Sequence, residues 1–232
     1  MDFKNKKMSK KRVLIFTMVF IMVLAIFLIA ANQGREKNIN TLIYHRGDSI
    51  SLSRGDIIVR PNNPHLPGSA YIKGGRRLGH VAVVVKGASG NSAEQVLSKS
   101  HVIEALLYDQ KTKSFIFDTC EQVRYAPASF SFGSKYRGCR YRLRLNTDVK
   151  KIDSIVEFLE SQLDGSYSIF TEKIRSAGML HRHSEWHCAT LAWQACYAAS
   201  GVDIDGNGGS VIYPSDIIIS TAFDHPGGRV IF

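Results

Sequence analysis

Hydrophobic and polar positions divide the chain into three regimes. From Val13 to Gln33 no residue is charged, and Val13 to Ala31 is apolar almost all round. Such a stretch predicts a helix about 28 Å long, the thickness of a bilayer's hydrocarbon core, and without a polar face it does not suit a globular interior. Residues 34–54 are polar and read as a linker, with room for a short strand at Leu42–Tyr44. Beyond Gly55 the pattern becomes that of a folded domain. Asp56–Arg60 is a β-branched run entered through a glycine turn, and a loop rich in Pro, Asn and Gly follows it. His80–Val85 (HVAVVV) is the strongest strand signal, with further strands at Val102–Leu107 and Ser114–Asp118. Cys139–Leu145 (CRYRLRL) alternates basic with apolar residues, which predicts one wet and one buried face.

The period then changes. Ile152, Ile155, Val156, Leu159 and Leu163 recur at helical spacing, with Thr147 or Asp148 to cap the start and Gly165 to end it. A second helix runs from Cys188 to Ser200, stops at Gly201, and carries a series of alanines that permit close packing. A Pro214-Ser215-Asp216 helix start and a terminal strand, Arg229–Phe232, close the chain. Strands first and helices after them predict an α+β fold, an antiparallel sheet packed on helices, for residues 55–232.

Composition and charge refine this. The 232 residues are 44% hydrophobic and 22% charged, which excludes disorder and, after the N-terminal segment, suits one domain. Of the formal charge of +10, half lies in residues 1–12, where six Lys and Arg face Asp2 alone. That basic block before the apolar stretch predicts residues 1–12 in the cytoplasm, residues 13–33 as a transmembrane signal anchor, and the domain outside. A cleaved, secreted form is the alternative. The remainder is mildly basic with no tract long enough to follow phosphates, so no nucleic-acid partner is expected.

An exported domain can hold disulfides. Cys188 and Cys196 are about 12 Å apart along one predicted helix and cannot bridge, whereas Cys120 and Cys139 can pair across strands or remain inert thiols. Cys188 stands at the first turn of its helix, where unpaired N–H groups favour a thiolate; a small buried hydrophobe is the plainer reading. His80 opens the strongest strand and is a candidate base, or else a structural histidine. Glu104 lies inside an apolar strand, where a carboxylate needs a partner such as an imidazole N–H, unless it faces solvent. The run His181–Cys188 holds several ligand-type side chains, but its spacing matches no zinc signature. Neither a metal nor an organic cofactor is expected.

Six landmarks in this order resemble one family, the permuted papain-fold amidases, YiiX-like relatives of NlpC-type cell-wall peptidases. They are Gly55-Asp56-Ile57-Ile58, Gly79-His80-Val81-Ala82-Val83-Val84, Val102-Ile103-Glu104-Ala105, Leu163-Asp164-Gly165-Ser166-Tyr167, Trp186-His187-Cys188 and Pro214-Ser215-Asp216-Ile217. The resemblance implies a circularly permuted papain-like fold and a triad of Cys188 as nucleophile, His80 as base and Glu104 as its orienting acid. It also implies that Tyr167, with His187 and Trp186, lines the substrate cleft. Members often carry Ser-Glu after the cysteine; here Ala189-Thr190 follows, which leaves the pocket's specificity open. The expected function is hydrolysis of an amide, or an ester, in cell-envelope material, with peptidoglycan peptide first. A lipid-acyl hydrolase or acyltransferase, or an inactive envelope-binding module, is the alternative. Oligomeric state is not legible.

Overall fold

The computed structural model describes residues 16–23, 41–44, 48–61, 70–72, 76–109, 111–118, 121–168, 171, 173 and 185–232. It is a mixed α/β structure with a mostly antiparallel sheet packed with helices. The sheet comprises β1 (Leu42–Ile43), β14 (Arg229–Ile231), β11 (Tyr141–Leu143), β3 (Ile57–Pro61), β5 (Arg76–Lys86), β7 (His101–Ala105) and β10 (Val123–Pro127) in that order, with β4 (Ala70–Ile72) also on β5. Every pairing in it is antiparallel except β1 with β14. Three short pairs lie apart from it: β2 (Ile50–Leu52) with β6 (Ala88–Gly90), β8 (Tyr108–Asp109) with β9 (Ser114–Phe115), and β12 (Ser166–Tyr167) with β13 (Glu185–Trp186). Part of the stretch read as linker is therefore built into the fold through β1 and β2.

Side-chain alternation sorts the sheet into two faces. Ile57, Val59, Val81, Val83 and Ile103 form one core with α4 (Val149–Ser161) and α5 (Cys188–Ser200). Ile58, Ala82, Val84 and Val102 form the other with α2 (Ala93–Lys99) and α3 (Ala128–Phe132). α4 starts where Asp148 accepts the Lys151 N–H at 2.9 Å, and presents Ile155, Val156 and Leu159 to the core. Its cap at the far end is Gln162, with Asp164 left-handed at φ 65°, two residues before β12 begins. α5 is buried from Cys188 through Cys196, the close approach its alanines permit, and Gly201 ends it at φ 70°.

Two strand expectations change. Ser114–Asp118 shrinks to the two residues of β9, exposed and paired only with β8. The basic positions of Cys139–Leu145 are not a wet face: Arg140 and Arg142 are buried. β11 lies between β14 and β3, so the C-terminal segment covers it. Arg140 donates to the carbonyl oxygens of Phe132, Gly133 and Phe232, Arg142 donates to that of Gly227, and Arg144 pairs with Asp56 at 2.7 Å.

Residues 16–23 form α1, an exposed apolar helix. Among the described residues no helix is long and apolar enough to cross a membrane; the remainder of the expected 13–33 anchor, and the 1–12 block, lie outside them. Cys139 is a free, half-buried thiol in the structure, so the disulfide considered for it is not formed there; Cys120 lies outside the described residues.

Candidate active site

Three elements far apart in the chain converge on Cys188. Pairing of β12 with β13 puts Tyr167 beside Trp186, two residues before the cysteine. The chain then turns into α5 at His187, whose backbone N–H donates to Thr171 Oγ1 at 2.9 Å and whose Nδ1 accepts the Ala189 N–H at 3.4 Å. Cys188 thus occupies the first helical position, where the backbone N–H has no intrahelical acceptor and the dipole favours an anion.

β5 supplies the base. His80 is stacked on Phe132 at 5.5 Å, and its Nε2 lies 2.8 Å from Glu104 Oε2 on β7. A carboxylate only accepts, so this contact puts the ring proton on Nε2 and leaves Nδ1 as the basic nitrogen. The same imidazole lies close enough to Cys188 for each group to shift the ionisation of the other. Glu104 is fully buried, and its second oxygen takes Arg124 (Nε and Nη2, both 3.2 Å) and Ser131 Oγ at 2.8 Å. Arg124 is the register partner of Glu104 on β10 and is itself held by Asp109 at 2.8 Å.

Burial opposes every charge here, and neighbours decide each balance. For Glu104, desolvation raises the carboxyl pKa, but His80, Arg124 and Ser131 outweigh it and hold the group below its usual range. For Cys188, desolvation again resists ionisation, yet the imidazoles of His187 and His80 bring the thiol well below its ordinary value. Desolvation lowers both histidines, and the thiolate together with Glu104 lifts His80 while the thiolate lifts His187. These directions favour a thiolate at Cys188 beside a protonated imidazole. Cys196, buried among apolar groups with no such neighbours, is pushed up to about 12 and is inert.

The remaining expected site residues separate. Both ring nitrogens of His187 stand 4.0 Å from Cys188 Sγ, and the ring is flanked by Tyr167 at 5.8 Å and Tyr213 at 6.5 Å between centroids. Burial and the Cys188 charge raise Tyr167, so it stays a neutral phenol beside the thiol. Trp186 does not line the cleft: it is fully buried and packs edge-on against Phe158 in the α4–α5 core. Two residues before Cys188, it takes the inward face of β13 opposite the exposed Glu185 and so enters that core rather than the cleft. Among the described residues no cluster of His, Cys, Asp or Glu could hold a metal ion, and His181 and His183 lie outside them.

Sequence patterns missed three contributors. Arg124 and Ser131 gave no local signal, since their role depends on β10 and α3 folding back over Glu104. Arg60 is the register partner of His80 on β3, just before the register slips at Pro61, and carries a buried positive charge to the thiol's surroundings. A cation closing a β-branched run was the available clue. No protein-family model, curated protein or solved structure matches the chain.

Proposed function

We propose that the chain is a cysteine hydrolase that cleaves an amide, or an ester, through Cys188, His80 and Glu104. The observation that carries this reading is an imidazole hydrogen-bonded to a buried carboxylate and set near enough to a helix-start thiol to lower its pKa. On it, the Cys188 thiolate attacks the carbonyl carbon, and the backbone N–H of Cys188 with the Tyr167 hydroxyl supplies donors toward the developing oxyanion. His80, protonated, gives its proton to the leaving amine or alcohol as the C–N or C–O bond breaks. It then takes a proton from water, which attacks the thioester, frees the acid and regenerates the thiolate beside the imidazolium. Glu104 acts through His80 as a positioning residue.

The resemblance further suggests a permuted papain-like fold; with the basic block and apolar stretch of residues 1–33 read as an anchor for an extracytoplasmic domain, it points to cell-envelope material, peptidoglycan peptide above all. The test is incubation of the full-length chain with peptidoglycan and with lipid fractions, beside Cys188→Ala. The proposal expects released products only with the unaltered chain, and their mass identifies the bond. Products from lipid alone would replace the peptide substrate with an acyl one. Release that persists in Cys188→Ala would remove the nucleophile assignment, and no release from either fraction would favour a binding module.

A further inference from the structure

We infer that Arg60 is a carboxylate-binding subsite beside the nucleophile, so that the substrate carries a free carboxylate on the group that adjoins the scissile bond. The inference rests on the hydrolase reading above and names its substrate class. Arg60 and His80 are cross-strand partners, which places their side chains on one sheet face with Cβ atoms about 5 Å apart. Arg60, His80 and Cys188 are 4%, 5% and 3% exposed, so a ligand that reaches the thiol reaches the same depth as the guanidinium.

This chain offers little, among the described residues, to two buried arginines, Arg142, which donates only to the Gly227 carbonyl oxygen, and Arg60, and of the two it is Arg60 that shares the surroundings of Cys188. Arg124 has two carboxylates, Arg140 three carbonyl oxygens, and Arg229 three carbonyl oxygens with Asp224. Among the described residues Arg60 donates from Nη1 to the Pro61 carbonyl oxygen at 3.0 Å and has the Tyr136 side chain as its other polar neighbour, while its buried Nε has no partner. The plane of the guanidinium lies over the Tyr136 ring at 4.7 Å, which holds it in place without neutralising it. Glu104, the nearest acid by topology, has both oxygens committed to His80, Arg124 and Ser131. The sequence around it is also empty of acids: between Asp56 and Glu94 there is no Asp or Glu, while Lys73, Arg76, Arg77 and Lys86 add positive charge. A buried guanidinium with an idle edge costs stability unless an anion completes it, and one planar edge matches one planar carboxylate.

The test uses the full-length chain and two alkylating probes of the same shape, iodoacetate and iodoacetamide, which differ by a carboxylate on the carbon that Cys188 attacks. Rates are read at the Cys188 peptide by mass spectrometry. Relative to the unaltered chain, Arg60→Met lowers the iodoacetate-to-iodoacetamide rate ratio about tenfold, the worth of one charge-assisted contact, and Arg60→Lys keeps most of it. Any attraction from the His80 imidazolium is common to all three proteins and cancels. In the unaltered chain, propionate slows iodoacetamide labelling of Cys188 and propionamide does not, a readout that needs no variant to fold. An unchanged ratio in folded Arg60→Met, or no protection by propionate, overturns the subsite while leaving the nucleophile standing. Protection by inorganic phosphate but not propionate overturns the carboxylate assignment. A Cys188 unreactive toward both probes overturns the hydrolase reading and the subsite with it.

Discussion

Glu104 illustrates what burial demands of a charge. A carboxylate without water needs its lone pairs filled, and here His80, Arg124 and Ser131 fill them. Ser131→Ala removes one of these contacts and should cost about 1 kcal/mol in urea unfolding. Glu104→Gln keeps the shape but spoils the contacts with Arg124 and His80, so kcat should fall at least about tenfold with little change in KM. The linkage signs are opposite for the two partners. Glu104 has a folded pKa below its ordinary 4.5, so its stabilisation is complete above that value and is lost as pH falls through the folded one. His80 is raised above 6.5, so its stabilisation is complete below that value and is lost as pH climbs through the folded one. Urea midpoints should therefore plateau between these limbs, with a shallower acid limb in Glu104→Gln. Activity should follow a bell whose acid side belongs to the ionising thiol, well below 9.0, and whose alkaline side belongs to the imidazolium. At this scale the Cys188, His80 and Glu104 positions were legible because each violated its local pattern: a thiol at a helix start, an imidazole opening a valine strand, an acid within an apolar one. Arg124 and Ser131 violated nothing locally, and Trp186 looked like a cleft residue only because it adjoins His187.

Elements were legible where one period runs unbroken. The α4 stripe and the α5 alanines predicted both helices nearly to the residue, because each packs its predicted side on the sheet. Strands of two or three residues, such as β8, β12 and β13, are too short to show alternation, and β10 is disguised by Pro127 at its end. β11 was misread for a different reason: its arginines look solvent-facing, but backbone carbonyls from α3 and the C-terminal segment give their guanidinium groups partners away from water. Gly55 is a junction between elements. Its φ of 86° disfavours any side chain, and a Cβ there would stand 2.6 Å from Ile152 Cδ1 on α4. Gly55→Ala should therefore destabilise the fold by about 1–3 kcal/mol in urea unfolding, through strain at the turn and a clash with the helix. Leu159→Ala, fully buried on the same helix, should cost about 2–5 kcal/mol.

For the molecule as a whole, the proposed anchor and the proposed site make separate demands. If residues 13–33 hold the domain to a membrane, the full-length chain sediments with membranes through a high-salt wash, and deletion of residues 1–33 frees it; a full-length chain that stays in the supernatant contradicts the anchor without touching the site. The site needs only that the sheet, α3 and α5 assemble, since each contributes one side of the Cys188 environment. Its central claim is that this thiol is a thiolate held by His80. The most direct measurement is the pH dependence of iodoacetamide labelling at each cysteine, in the unaltered chain and in His80→Ala. The account predicts one fast thiol at neutral pH, Cys188, with an apparent pKa well below 9.0 that moves upward when the imidazole is removed. Uniformly slow labelling of all four cysteines, or a fast Cys188 indifferent to His80→Ala, would contradict it.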